Sequence, residues 1–365
     1  MIPDAIVVGA GIVGCACAEA MCRAGLRVRI VDASFPGGGV TAAAMGHVLV
    51  ADHSRAQLEL TRYSAELWKA RTGELPSTVE NVRCGTLWLA EDGAQLDRAR
   101  ERADSAAALA VPCEVVDARG LRSLEPNLAP QLAGGLLFPE DRAVYPPGAA
   151  LWLLELARAR GCEVGAGEEV GWLDAGSVSY AGSRHAAGAV VNAAGLGAAR
   201  LSPKLPILPR RGHLAITDRY PGFARHQLVE LGYMDSTDPG RGPAVAFNVQ
   251  PRPTGQLLIG SSRDGAGPEA GQDPGLRRRM LDRAASFLPG LPGLKLTRTW
   301  VGFRPATPDG LPLIGRGSDG VYAAAGHEGL GIATALGTAQ LVADLILGRQ
   351  PALDPTPFAP TRFEG

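Results

Sequence analysis

At 365 residues, with 46% hydrophobic and 20% charged side chains, the chain has the make-up of a globular protein large enough for two domains. A net charge of −1 removes the electrostatic footprint that nucleic acid or an anionic membrane surface would require. The 48 Gly and 28 Pro suit an α/β protein with many tight turns and argue against a helical bundle.

In chain order, AIVVGA (5–10) is a short apolar run bounded by Gly, the pattern of a buried parallel strand. Ile12 to Ala24 reads as a helix with Gly25 at its C-cap, and VRIVDA (28–33) as a second buried strand. Together they make a β-α-β unit. Residues 54–72 carry a helical apolar face of Leu58, Leu60, Tyr63 and Leu67. RCGTLWLAED (83–92) alternates as a half-exposed strand does, and a charged helix follows from about 93 to 110. GGLLFPED (134–141) is another strand, and PPGAALWLLELARARG (146–161) is a helix with Pro at its start and Gly at its end. Short apolar strands return in CEVGAGEEVGWLD and in HAAGAVVNAAG (185–195). Residues 207–290 hold further strands and the helix PGLRRRMLDRAASFLPG. VGFRPATPDGLPLIG (301–315) reads as a strand, a turn and a second strand paired with the first. GVYAAAG (320–326) then leads into the apolar helix LGIATALGTAQLVADLIL (330–347). The Pro-rich tail is expected to lie extended on the surface.

Parallel-type pieces occur at the start, middle and end, with antiparallel pieces between them. This interleaving predicts an α/β nucleotide-binding domain assembled from 1–80, 144–205 and 298–365. An α+β domain with a mixed antiparallel sheet is inserted twice, as 81–143 and 206–297. The first residues, MIPDAIVVGAGIVGCACAEAMC, lack a basic region, carry Asp4 and place glycines at motif spacing, so they are expected to be structure and no signal peptide. The six Cys show no CxxC and no nearby His that would complete a zinc site, and no iron–sulfur spacing; they read as reduced thiols of a cytoplasmic protein.

VVGAGIVG supplies G-x-G-x-x-G as Gly9, Gly11 and Gly14, after a strand and opening a helix, with Asp32 closing the next strand. Gly9 permits the tight turn, Gly11 lets backbone N–H groups approach a pyrophosphate, and Gly14 lets the helix pack on the strand. Asp32 would take ribose hydroxyls. A plain tight turn is the alternative, and the fingerprint alone serves FAD and NAD equally. PGGGVTAAAMGHV (36–48) excludes bulk and holds Thr41 and His47; VVNAAGLGA (190–198) and AAAGHEGLGIATALG (323–337) are further Gly/Ala-rich turns. Gly329 and Gly331 would open the last helix N-terminus to a ligand. Four such approaches fit a long extended ligand such as FAD and fit NAD poorly.

With GAGIVG and Asp32, GVTAAAMGH, VVNAAG, GFRPATPDGLPLIG and GHEGLGI in hand, the chain resembles the FAD-dependent D-amino-acid oxidase/dehydrogenase family, in its glycine-oxidase-like branch, over essentially its whole length. GGGVTAAAMGHV, RCGTLWLAED and AGHEGLGIATALGTAQLVADLILGR are most similar to the flavin subunits of D-hydroxyproline dehydrogenases, relatives of the flavin subunits of hydrogen cyanide synthase and opine oxidase. The resemblance implies a Rossmann-like FAD-binding domain and a substrate domain. It implies oxidation of a D-amino acid such as cis-4-hydroxy-D-proline by hydride transfer from Cα to flavin N5, giving a pyrroline carboxylate.

By the same resemblance, FAD is expected on Gly9, Ala10, Gly11, Ile12, Val13 and Gly14, on Asp32 and Ala33, and on Thr41, Ala42, Ala43, Gly46 and His47. Val170, Ala194, Gly195 and Arg304 follow, then Gly326, His327, Glu328, Gly329, Leu330, Gly331 and Ile332. Arg304 occupies the place of the arginine that binds the substrate carboxylate, for which a planar fork is suited; the alternative is a surface pairing with Asp309. His47, Asn248, Tyr233 and Glu328 are further catalytic candidates, Asn248 and Tyr233 because relatives carry an active-site tyrosine near AFNVQPRP. His53, His185, His213 and His226 read as surface or core residues, and Trp68, Trp88 and Trp152 as core.

Because some relatives attach FAD through a cysteine and no Cys lies beyond 162, the cofactor is expected to be non-covalent. Heteromeric relatives imply a second flavoprotein and a ferredoxin-like subunit as partners, with any membrane association through them. Two other readings stay open: an oxidase that makes peroxide, and a flavin subunit whose role is mainly electron relay.

Overall fold

The computed structural model describes residues 1–50, 54–232, 242–267 and 269–364. The chain opens with β1 (Ala5–Val8), α1 (Ile12–Arg23), β2 (Val28–Asp32), α2 (Gly39–Ala43), β3 (His47–Val48) and α3 (Arg55–Ala70). It continues with β4 (Thr86–Ala90), α4 (Gly93–Ala107), β5 (Glu114–Asp117), α5 (Ala118–Leu124), β6 (Gly134–Phe138), β7 (Arg142–Ala143) and α6 (Pro146–Arg158). Next come β8 (Glu163–Ala166), β9 (Trp172–Asp174), β10 (Ser177–Tyr180), β11 (Ser183–Ala186), β12 (Ala189–Asn192) and α7 (Ala198–Leu201). The last part holds β13 (Leu208–Thr217), β14 (Gln227–Glu230), β15 (Ala244–Pro251), β16 (Leu257–Arg263), α8 (Pro274–Phe287), β17 (Leu296–Ala306), β18 (Leu313–Arg316), β19 (Tyr322–Ala325) and α9 (Gly331–Ile346).

One sheet has the order β18-β19-β12-β1-β2-β8, parallel except for β18 against β19. Its central strand β1 is buried at every position, as the apolar run demanded. Helix α1 packs between α6 and α9 on one face, in a core that includes Trp68 and Trp152. Gly14 makes this close packing possible: a Cβ there would sit 1.8 Å from the Gly9 carbonyl oxygen.

The second sheet has the order β17-β13-β16-β15-β14-β4-β6-β5, antiparallel except for β14 against β4. Helix α8 covers β15 and β16, with Phe287 stacked on Phe247 at 4.4 Å.

Several expectations change. Strand β4 is buried at all five positions, because it lies between β14 and β6 with apolar clusters on both faces, Leu87 and Leu89 on one and Trp88 and Ala90 on the other. β17 and β18 do not pair; β17 pairs with β13 and β18 with β19, so the intervening turn crosses from one sheet to the other. β17 stays in the larger sheet to Ala306, past the boundary expected at 298. The tail folds into two short 3-10 turns and buries Phe358 in the core around α1 and α9. The sequence reading passed over β5, α5, β10 and β14, and did not foresee that β9, within CEVGAGEEVGWLD, joins a separate small sheet β11-β10-β9.

Candidate functional site

Between the two sheets runs a cavity of about 570 Å³. Its first wall is the turn from β1 to α1. Gly9 takes φ +102, and a Cβ there would meet the Ala193 carbonyl at 2.5 Å, so two Gly/Ala turns close on each other without room for a side chain. The Ile12 N–H donates to Thr41 Oγ1 at 3.0 Å, which joins the small-residue segment 36–48 to the α1 N-terminus. Asp32 accepts the Ala10 N–H at 2.7 Å and the Ser34 N–H at 2.8 Å, and its carboxylate is fixed at the end of β2 facing the cavity. Beyond it, Val170 lines the same end, its carbonyl accepting from Arg200 at 3.0 Å.

The opposite end is built by β13, β15, β16 and β17 together with the turn before α9. Ala43 lies against Gly302, where a Cβ would come within 2.9 Å of the Ala43 methyl, and Trp300 Nε1 donates to the Ala43 carbonyl at 3.1 Å. Arg304 projects from β17 over Gly212 and donates from Nη1 to the Ser262 carbonyl at 3.0 Å. Asp309 is not its partner: that carboxylate is taken by Arg362 at 2.7 Å, by Thr307 and by the Leu311 N–H, which removes the surface-clip alternative. Among the described residues no carboxylate pairs with Arg304.

Three titratable or polar groups face this end. His47 Nε2 is sealed from solvent without a hydrogen-bond partner, and desolvation pulls the ring pKa down to about 4, so the imidazole is neutral at pH 7. Asn248, on β15 opposite Gly260, has its Oδ1 buried and unpartnered. Glu328, in the left-handed region at φ +48, pairs with Arg263 at 2.9 Å and thereby ties the α9 turn to β16. His327 turns its side chain away, with Nε2 3.0 Å from Thr338 Oγ1 on α9.

The cavity thus gathers Gly9, Gly11, Ile12, Val13, Asp32, Ala33, Thr41, Ala43, Gly46, His47, Val170, Ala194 and Gly195 from the expected set. It adds Asn248, Arg304, Gly326, His327, Glu328, Gly329, Gly331 and Ile332. Ala10, Gly14, Ala42 and Leu330 do not line it: Ala10 serves Asp32, Gly14 packs α1, Ala42 faces a second cavity, and Leu330 joins the cluster under α3. Tyr233 and His53 lie outside the described residues. Met45, Gly212, Leu214, Ser261 and Phe303 line the cavity without having been foreseen. Only the position of Met45 within the Gly/Ala segment offered a signal; the others come from strand register.

The features fit FAD. Small residues leave one long channel, an α1 N-terminus with backbone N–H groups opens into its middle, a carboxylate stands at one end, and unpartnered buried polar atoms wait at the other. None of the six cysteines lines the cavity. Among the described residues no group of His, Cys, Asp and Glu gathers to hold a metal, and no helix is long and apolar enough to cross a membrane.

Comparison with known proteins agrees. Residues 4–345 match the family model DAO, FAD dependent oxidoreductase. The chain is 26% identical to the hydrogen cyanide synthase subunit HcnC of Pseudomonas aeruginosa, over 99% of this chain and 96% of that protein. It is 30% identical to a D-amino acid dehydrogenase of Methylobacterium sp. (strain 4-46), over 84% of this chain and 73% of that one. The crystal structure of glycine oxidase from Geobacillus kaustophilus superposes with a TM-score of 0.88 at 27% identity, covering 99% of this chain and 98% of the other. With the channel, its acidic and glycine-lined walls, and these likenesses together, the chain belongs to the DAO family of FAD-dependent oxidoreductases and acts on amino-acid CH–NH donors.

Proposed function

We propose that the protein dehydrogenates a D-amino acid, cis-4-hydroxy-D-proline being the substrate favoured, to the corresponding imine, a pyrroline carboxylate. The observation that supports this most is Arg304: a guanidinium at the cavity wall spends one N–H on the Ser262 carbonyl and has no carboxylate partner among the described residues. A substrate carboxylate would satisfy it through two parallel bonds and fix the Cα–H bond in orientation. FAD, when bound, supplies the oxidant that accepts the two electrons. Neutral His47 and the Asn248 amide oxygen would then take hydrogen bonds from the substrate's amine or hydroxyl, since both bear buried unpartnered acceptor capacity. Glu328, through Arg263, would hold the α9 turn beside the flavin.

In this reading segments 1–80, 144–205 and 298–365 form the FAD-binding domain and segments 81–143 and 206–297 the substrate domain, with β17 running on in the larger sheet to Ala306 so that Arg304 reaches the substrate across the boundary. FAD is held non-covalently. Likeness to a protein described as a subunit supports assembly with other chains; the partners in this reading are a second flavoprotein and a ferredoxin-like subunit, in the cytoplasm and at the inner membrane only through them. A second reading, an oxidase passing electrons to O2, is supported by likeness to glycine oxidase. The test is a panel of amino-acid enantiomers assayed with an artificial electron acceptor and, separately, for peroxide. The proposal expects acceptor reduction by D-proline derivatives with little peroxide; steady peroxide production selects the oxidase, and silence toward every amino acid rejects both.

A further inference from the structure

A second cavity, of about 150 Å³, lies beside the first and shares Ala44 and Met45 with it. The two stand in line along one face of the larger sheet. Asn248 faces the first cavity, and Gln250, two positions on along β15 and so about 7 Å away, faces the second. In register, Asn248 lies opposite Gly260 and Gln250 opposite Leu258. The partition between the cavities is Met45, buried and packed with Leu214 and Leu258. Its sulfur shares the space over Gly260 with Leu214: a Cβ there would approach Leu214 Cδ2 to 3.0 Å and Met45 Sδ to 3.3 Å. Beyond the partition, the second cavity is lined by exposed Tyr145 and by Arg252 and Glu80, which pair at 2.7 Å. Gln250 is 2% exposed, and its Oε1 has no hydrogen-bond partner. A buried amide oxygen left unpartnered is costly unless a donor reaches it.

We propose that Met45 is a size filter: it closes the substrate pocket against side chains longer than a proline ring, and the chamber behind it is a latent subsite whose Gln250 accepts a hydrogen bond from a terminal amide or ammonium. This rests on the reading of the first cavity as an amino-acid site. Methionine suits the role, because an unbranched thioether fills the gap over Gly260 without a rigid shape. Met45 touches the reacting pocket only as a wall, so it sets specificity and takes no part in proton or electron transfer.

The test compares D-proline with D-glutamine and D-lysine on the FAD-loaded protein, following anaerobic flavin bleaching and the apparent Kd for each amino acid. The unmodified protein should prefer D-proline by at least about a hundredfold in efficiency; equal use of D-glutamine overturns the filter outright. Met45→Ala should raise efficiency on D-glutamine and D-lysine tenfold or more relative to D-proline, through Kd. Leu258→Ala opens the same partition from the other side and should act alike. Met45→Leu, similar in volume, should keep the native preference. Adding Gln250→Leu to Met45→Ala should abolish the gain. A folded, flavin-loaded Met45→Ala or Leu258→Ala protein with an unchanged preference contradicts the proposal. If D-proline and every other amino acid fail on the unmodified protein, it is the underlying substrate reading that has failed.

Discussion

The Arg304 guanidinium lies directly over Gly212 on the neighbouring strand: a Cβ at 212 would come within 2.6 Å of Nη1 and 2.8 Å of Nη2. The absence of a side chain on β13 is therefore what lets the cation lie flat on the sheet with its fork toward the cavity. Gly212→Ala should push the guanidinium off its seat. The expected result is a fall of tenfold or more in kcat/KM with flavin content unchanged, and a full-activity Gly212→Ala enzyme would contradict this seating.

Arg304→Ala should cost roughly 2–5 kcal/mol in kcat/KM, the range for truncating one partner of a buried charge pair. Arg304→Lys should recover only part, because a point charge cannot replace the fork. Steady-state kinetics alongside the flavin-to-protein absorbance ratio separates lost substrate binding from lost cofactor.

Gly9→Ala tests the cofactor end. The residue sits at φ +102, where any side chain is strained, and its Cβ would also strike the Ala193 carbonyl at 2.5 Å. The variant should bind FAD weakly and melt well below the unmodified protein; undiminished FAD uptake in a titration would show that the turn does not cradle the nucleotide.

Cofactor release follows from the cysteines. Since none of the six lines the cavity, acid precipitation should leave the yellow colour in the supernatant. A coloured pellet would reveal a covalent bond.

Asp141 gives a pH dependence. It is 4% exposed, accepts the Val50 N–H at 3.2 Å, and burial pushes its pKa up to about 8 from 3.8. A folded-state value above the unfolded one means the native state binds the extra proton between those limits. Stability should therefore fall as pH rises from about 4 to 8, at up to about 1.4 kcal/mol per pH unit from this group. Buried neutral His47 and His327, with pKa values lowered to about 4, act in the opposite sense, so stability also falls as pH drops from about 6.5 toward 4. Asp141→Asn should raise the thermal midpoint at pH 8 and do little at pH 4.5. An equal effect at both would remove Asp141 as the source.

Much of the nucleotide-binding half was legible because its strands and helices follow local rules. β1, α1 and β2 are specified by apolar runs and glycines within 33 residues; the C-cap of α1 is Ala24, and Gly25, one residue on, takes the left-handed φ of +95 that ends the helix. The larger sheet was less legible. β14 has four residues and gains its place by pairing with β15 on one side and with β4, far away in sequence, on the other; β4 looked half-exposed because nothing local says that α8 and α4 lie on opposite sides of its sheet. Arg304 could be singled out as a lone cation in an apolar run, whereas Gly212 and Gln250 acquire meaning only through register. Phe358 was misread because prolines signal an irregular path and not whether that path is buried.

The account stands most directly on anaerobic mixing of the purified, FAD-loaded protein with cis-4-hydroxy-D-proline while the visible flavin band is followed. The expected result is rapid, complete bleaching by this enantiomer, release of a pyrroline carboxylate in equal amount, and bleaching slowed by orders of magnitude in Arg304→Ala. Flavin that stays oxidised with every D-amino acid offered, or bleaches equally fast without Arg304, would contradict it.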